Sequence, residues 1–254
     1  MLPNISSPNG LLWEFKRSPY HYWYKYKNPD YIPESPTPAQ ILGYALHTTI
    51  LEPEKFEEQL FVLPKVDKRT KAGAEKWKQL QETMGNRSLL TEAQYEELCA
   101  MKASFEKNTL AVQLIQNAEI EQSIYWKDLD TDILCKCRPD ILHNGLVVDL
   151  KTAQDGSAWS FSKAVHDYGY HIQVAMIREA LRVIKQIDIQ SFWFIVIEKS
   201  SPYVVSTYKL DAAALEKGYE EFKHLLARYQ YCLKENDWPA YETQEISLPR
   251  YAFN

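Results

Sequence analysis

Arg138-Pro139-Asp140-Ile141-Leu142-His143-Asn144-Gly145-Leu146-Val147-Val148-Asp149-Leu150-Lys151 is the stretch on which the fold turns. Polar and apolar residues alternate from Asp132 to Cys137, His143-Asn144-Gly145 reads as a turn, and an apolar strand begins at Leu146. Asn-Gly between two such runs is a strong hairpin signal, because both residues accept the positive φ of the favoured two-residue turns. Side chains alternate along a strand, so Asp149 and Lys151 share the face opposite Leu150. Asp140 lies just across the turn. Two carboxylates and one ammonium can therefore meet at a single spot.

Neighbouring carboxylates repel, and one pKa rises unless a cation stands between them. A hard divalent ion is the usual partner, and Mg2+ takes one or two carboxylates and fills its shell with water and phosphate oxygens. A lysine on the same face can then orient or help deprotonate a water, or neutralise a pentacovalent phosphate. Together these are the parts of phosphodiester hydrolysis. The competing reading is an Asp–Lys salt bridge on a solvated strand, which an arbitrary Asp-x-Lys triplet usually is. Pro139 before Asp140 and the hairpin context favour the site.

Pro139-Asp140, a short gap and Asp149-Leu150-Lys151 resemble the PD-(D/E)xK nuclease superfamily. More narrowly, the chain resembles the RecE-type recombination exonucleases, the exonuclease VIII-like domain common in phages and prophages. The resemblance runs from about Ser7 to the C-terminus. Gly43-Tyr44-Ala45-Leu46-His47 with Leu51-Glu52-Pro53 is similar to that family's upstream histidine motif. Glu121 to Trp126 is similar to its segment entering the sheet, and Tyr170-His171-Ile172-Gln173 to its helix after the lysine. Four segments in the right order are more specific than the hairpin alone.

The resemblance implies an α/β, restriction-endonuclease-like core: a mixed central sheet flanked by helices, with an N-terminal helical part. It implies one nuclease domain over residues 1–254, in which 1–118 is mainly helical and carries His47 and 119–254 is the catalytic sheet–helix core. A metal, Mg2+ or alternatively Mn2+, would be held by Asp140, Asp149, the Leu150 carbonyl, His47 and Glu121. Glu119 rivals Glu121, since both have the same strand parity. Lys151, Gln173 and His47 would complete the catalytic set with the two aspartates. The implied activity is 5′→3′ resection of double-stranded DNA ends. The implied partners are a single-strand annealing recombinase and further copies of this chain in a ring. Two alternatives stay open: a related endonuclease or single-strand nuclease, and a DNA-end-binding protein that kept the fold without the chemistry.

Composition bounds this picture. The length suits one α/β domain with a helical addition. The 29 basic and 34 acidic residues leave a net charge of −5, which advertises no polyanion-binding surface. DNA would then meet a focused channel or ring, not a basic face. No apolar run reaches the ~18 residues that span a bilayer, and Met1-Leu2-Pro3-Asn4 lacks the features of a signal peptide. The expectation is a cytosolic protein without membrane contact. Cys135 and Cys137 form a C-x-C without a second pair, and Cys232 is the sole C-terminal cysteine. Buried free thiols are expected, not the iron–sulfur cluster of some related nucleases.

The remaining segments supply candidate contacts. Gly10 to Lys27 reads as an aromatic-faced helix, with Arg17 and Lys16 near Tyr20, His21 and Tyr24. Rings can stack on bases while cations take phosphates, although the same spacing also describes a core stripe. Thr37-Pro38 opens a helix in which His47 lies opposite the stripe Ile41, Leu42, Ala45, Leu46 and Thr49. Lys65 to Lys78, including Lys68 and Arg69, is either a phosphate track or a solvated face. Arg138 joins them as a candidate substrate contact. Thr91 begins a capping box that predicts a helix to about Gln116. A further helix is predicted over about 160–184, with His166, Tyr170 and Gln173 on one face. There Gln173 can fix the lysine or a water, and Tyr170 can contact a phosphate. Ile177 stands where the family often has an aromatic residue. Phe192 to Ile197 predicts a buried strand and Tyr203 to Leu210 an edge strand, and Asp211 caps a helix reaching about Lys234.

Overall fold

The computed structural model describes residues 14–67, 69–143, 145–189, 191–248 and 252. Lys68 and Asn144, singled out above, lie outside the described residues.

The strands are β1 (Leu60–Leu63), β2 (Ser88–Thr91), β3 (Glu119–Ile120), β4 (Ile124–Lys127), β5 (Leu134–Cys137), β6 (Ile141–His143), β7 (Leu146–Ala153), β8 (Ser191–Glu198) and β9 (Val205–Lys209). The helices are α1 (Pro19–Tyr26), α2 (Pro38–Leu51), α3 (Phe56–Gln59), α4 (Lys71–Met84), α5 (Glu92–Lys107), α6 (Thr109–Ile115), α7 (Ala158–Asp167), α8 (Tyr170–Ala180) and α9 (Ala212–Glu235). A mixed five-stranded sheet of order β3-β6-β7-β8-β9 forms the centre. Its middle is the parallel pair β7–β8, in register from Leu146↔Ser191 to Ala153↔Glu198. The other three pairings are antiparallel. A parallel pair is covered on both faces, which is why Val147-Val148 and Phe192 to Ile197 are apolar runs.

Two apolar clusters sandwich this sheet. Val147, Phe192, Phe194 and Val196 join α8, α9 and the Phe15–Tyr22–Tyr229 group on one face. Ile141, Val148, Leu150, Ile195 and Ile197 join α2, α5 and α6 on the other. At the α8–α9 crossing a Cβ on Gly218 would lie 2.1 Å from the His171 carbonyl oxygen, so only glycine permits the approach. Among the described residues no helix is long and apolar enough to cross a membrane.

Several expectations need correction. The strand that pairs with β7 across the turn is β6, not the run ending at Cys137; β5 pairs with β4 in a separate two-stranded sheet. The helix expected from Thr91 to Gln116 is broken at Asn108, whose side chain accepts the Ala111 amide and starts α6 afresh. The helix expected over 160–184 is two helices. Gly169, at φ +68°, ends α7 and opens α8. His166 therefore sits on α7, exposed, and does not share a helical face with Gln173. Within Gly10 to Lys27, Ser18 and Pro19 restart the chain as the short helix α1. The α2 stripe runs through Leu42, Ala45 and Leu46 but continues at Thr48, not Thr49. All four cysteines are free; Cys135, Cys137 and Cys232 are buried as expected, whereas Cys99 is exposed. Burial pushes the Cys135 and Cys137 thiols up to about 12, which leaves them inert.

Candidate active site

Asp140 immediately precedes β6, where the hairpin opens away from β7. Its Oδ2 accepts the Leu150 amide at 2.8 Å, so a side chain takes over where the backbone ladder stops. Within a strand, the amide and carbonyl of one residue point to the same side. The Leu150 carbonyl therefore faces the Asp140 side, while the Leu150 side chain is buried in the core.

His47 reaches this spot from α2. Its Nδ1 is 3.6 Å from Asp140 Oδ2 and 3.9 Å from Glu121 Oε1. The ligand atoms of His47, Glu121 and Asp140 all lie within 4.8 Å of one another. Glu121 follows β3 at φ +54°, and its amide donates to the Asp140 carbonyl at 2.9 Å, which turns its side chain into the cluster. Glu119, the rival, points elsewhere and pairs with Lys185 at 2.6 Å. Burial alone would depress the His47 pKa, but Asp140 and Glu121 outweigh it and raise it.

Asp149 and Lys151 stand side by side on the α8 face of β7, in direct contact. Gln173 donates from Nε2 to Asp149 Oδ1 at 3.0 Å, and its buried Oε1 has no hydrogen-bond partner among the described residues. Burial pushes the Asp149 carboxyl up to about 6; Lys151 opposes that shift and Asp140 adds to it. Lys151 shifts upward, since the attraction of Asp149 and Asp140 exceeds the cost of its burial, so it stays an ammonium. The Tyr170 ring caps that ammonium at 4.7 Å. Burial raises the Tyr170 phenol, with Lys151 opposing. Ile177 is core.

Arg138 braces the acids. Its Nε lies 2.5 Å from Glu121 Oε2 and donates to the Glu121 carbonyl at 3.2 Å, while Nη2 is 3.9 Å from Glu52 Oε2. Arg17 is not part of this group: it donates to the Tyr241 hydroxyl at 3.2 Å. Arg69 is exposed and pairs with Asp67. Neither lines the cleft of about 730 Å3 that opens over His47, Glu121, Arg138 and Tyr170. That cleft also exposes Glu52, Thr152, Tyr168 and Lys199, which the sequence reading gave no role. Glu52 lay inside the quoted Leu51-Glu52-Pro53 motif, the one signal that could have found it.

The donor set fits a divalent cation. Carboxylate oxygens and one imidazole nitrogen lie within 4.8 Å of one another, and a second buried aspartate beside them resists ionisation even with Lys151 in contact. A mixed sheet flanked by helices, with Pro-Asp and Asp-x-Lys meeting where a hairpin opens, is the fold and motif of the PD-(D/E)xK nucleases. Residues 10–248 match the family described as PDDEXK-like domain of unknown function (DUF3799), and the chain belongs to that family.

A solved structure shares this fold. The "Putative exonuclease" of Eubacterium rectale is 12% identical with a TM-score of 0.60, over 96% of this chain and 90% of that one. A phage related exonuclease of Haemophilus somnus is 11% identical with a TM-score of 0.34, over 76% of this chain and 95% of that one. None of the curated proteins matches the chain.

Proposed function

We propose that this protein is a divalent-metal-dependent deoxyribonuclease that digests double-stranded DNA from its ends. The observation that carries the reading is the meeting of His47, Glu121 and Asp140 within 4.8 Å, beside a buried Asp149–Lys151 pair. Asp140, Asp149, Glu121, His47 and the Leu150 carbonyl would hold Mg2+ or Mn2+. A bound divalent ion supplies a more acidic water and a polarised phosphate oxygen.

The chain's own groups do the rest. Lys151, fixed as an ammonium between Asp149 and the Tyr170 ring, donates hydrogen bonds to the attacking water and to the phosphate as charge builds on it. Gln173 holds Asp149 in place and offers its free Oε1 to that water. Arg138 neutralises Glu121 and Glu52 until substrate arrives, and then has guanidinium donors for a phosphate.

Resection in the 5′→3′ direction, a ring of several copies, an annealing recombinase as partner and a cytosolic setting belong to the same reading. Their support is the resemblance to RecE-type exonucleases. Continuity of residues 1–118 with 119–254 as one nuclease domain is supported by the shared core of α2, α5 and α6 with the sheet.

An end-labelled linear duplex tests the activity. Incubation with Mg2+ should release short products that EDTA suppresses, while a closed circular duplex should persist. Mn2+ should also raise the thermal midpoint of the protein by mass action, and Asp140→Ala should abolish that rise. Equal digestion of circle and linear duplex would make it an endonuclease, and no digestion with either ion would overturn the enzyme.

A further inference from the structure

One cation on the cleft is not paired with the site's acids. Arg138 is committed to Glu121 and Glu52, and Lys151 to Asp149. Lys199 is the remaining lysine on the lining, and among the described residues no acid lies within ion-pair distance of it. Its position is well defined. It follows β8 directly, and its amide donates to the Ala153 carbonyl at 3.0 Å, so it sits at the end of the β7–β8 pair, just past Glu198, the register partner of Ala153. Its neighbour Glu198 faces away and accepts the Gly156 amide at 2.8 Å. Lys199 is therefore a half-buried cation on the lining of an acidic site, with no ion-pair partner among the described residues.

Tyr168 also lines the cleft, at the junction of α7 and α8. Its ring is 52% exposed and rests on Tyr170 at 5.7 Å and 31°, and Tyr170 in turn caps Lys151. The three form a ladder from the buried ammonium to the cleft surface, ending in an aromatic face that can meet a base. A cation and an exposed ring lining one cleft supply the two contacts that the repeating unit of a nucleic-acid strand calls for, one to a phosphate and one to a base.

We propose that Lys199 and Tyr168 form a nucleotide subsite: Lys199 takes the phosphodiester beside the one that is cut, and Tyr168 stacks on the base it carries. This rests on the nuclease reading above and adds to it where the neighbouring nucleotide lies. Both are binding residues and do not touch the reacting atoms.

The test is fluorescence anisotropy of the full chain with a labelled single-stranded oligonucleotide in Ca2+, over a salt series, together with steady-state cleavage in Mg2+. Lys199→Ala should weaken binding about tenfold and lower the slope of log K against log salt by roughly 0.7, one phosphate contact on a single strand. Lys199→Arg should restore the slope, and Lys234→Ala, a distant charge control on α9, should leave it alone. Tyr168→Ala should weaken binding about tenfold without changing the slope, and Tyr168→Phe should bind as the unaltered protein does. In cleavage the losses should fall on KM more than on kcat. If the unaltered protein cuts and Lys199→Ala keeps its slope and KM, the subsite is wrong and the nuclease stands. If the unaltered protein neither cuts nor binds, both fall.

Discussion

Two buried aspartates in this molecule each carry a lysine partner, yet they are set up for opposite ends. Asp128 accepts the Asp130 amide at 3.2 Å, the Thr131 amide at 3.0 Å, the Thr131 hydroxyl at 2.8 Å and Lys223 at 2.5 Å. Burial works against its charge, but Lys223 and Thr131 more than compensate and hold its pKa below the ordinary value. Lys223 gains a second acid in Asp130 at 2.6 Å. Asp149 has one lysine, one amide from Gln173 and another carboxylate nearby, and its pKa is pushed up to about 6. The first is a satisfied pair that ties α9 to the β4–β5 turn. The second is left short of positive charge, which is the condition of a site that waits for a cation. A perturbed carboxyl marks function when its surroundings leave the ionised form wanting.

Breaking the two pairs should separate their roles. Lys151→Ala should cut the rate of DNA cleavage by ~10²–10⁴-fold, with the thermal midpoint little changed, because Asp149 can take up a proton when its partner goes. A large fall in midpoint with retained rate would reverse the assignment. Asp128→Ala should do the opposite. It strands the Asp130 amide and two Thr131 donors and leaves Lys223 with Asp130 alone, at a cost of about 3 kcal/mol in urea unfolding, while the folded fraction cleaves normally. Gln173→Ala removes one hydrogen bond to Asp149 and should slow cleavage by roughly tenfold.

The smallest effect is in the pH dependence of metal-free stability, and it should differ in sign. Asp149 has a folded pKa of about 6 against ~3.9 unfolded, so the native state binds the extra proton and stability falls as pH rises through that window. Asp149→Asn should flatten this slope. Asp128 has a folded pKa below its unfolded one, so its contribution is present above ~3.9 and lost as pH falls through the lower folded value. Asp128→Asn should reduce acid sensitivity there and leave the range near 6 alone. Urea midpoints across pH would show both.

The turn before β7, the buried run of β8 and the convergence of Asp140 with the Asp149–Lys151 face were legible because they rest on residue patterns along single strands and one turn. His47 and Glu121 were legible only through resemblance; a helix face and a strand parity do not say that two elements meet. Breaks at Asn108 and Gly169 were missed because apolar periodicity runs through both, while a cap and a left-handed glycine redirect the chain. The bracing of Glu121 by Arg138 with Glu52, and the Asp128–Lys223 pair, depend on long-range packing; the latter joins residues 95 apart in sequence. No local pattern encodes either.

The bond from the Leu150 amide to the Asp140 carboxylate has a consequence for quality control. Sliding the hairpin by one residue would unhook Asp140 and, in the same move, turn Asp149 and Lys151 toward the opposite apolar layer. A misaligned molecule would then lose Asp140 and Asp149 from the site at once and sacrifice packing as well. Forms that keep only half of the site have no stable arrangement to occupy.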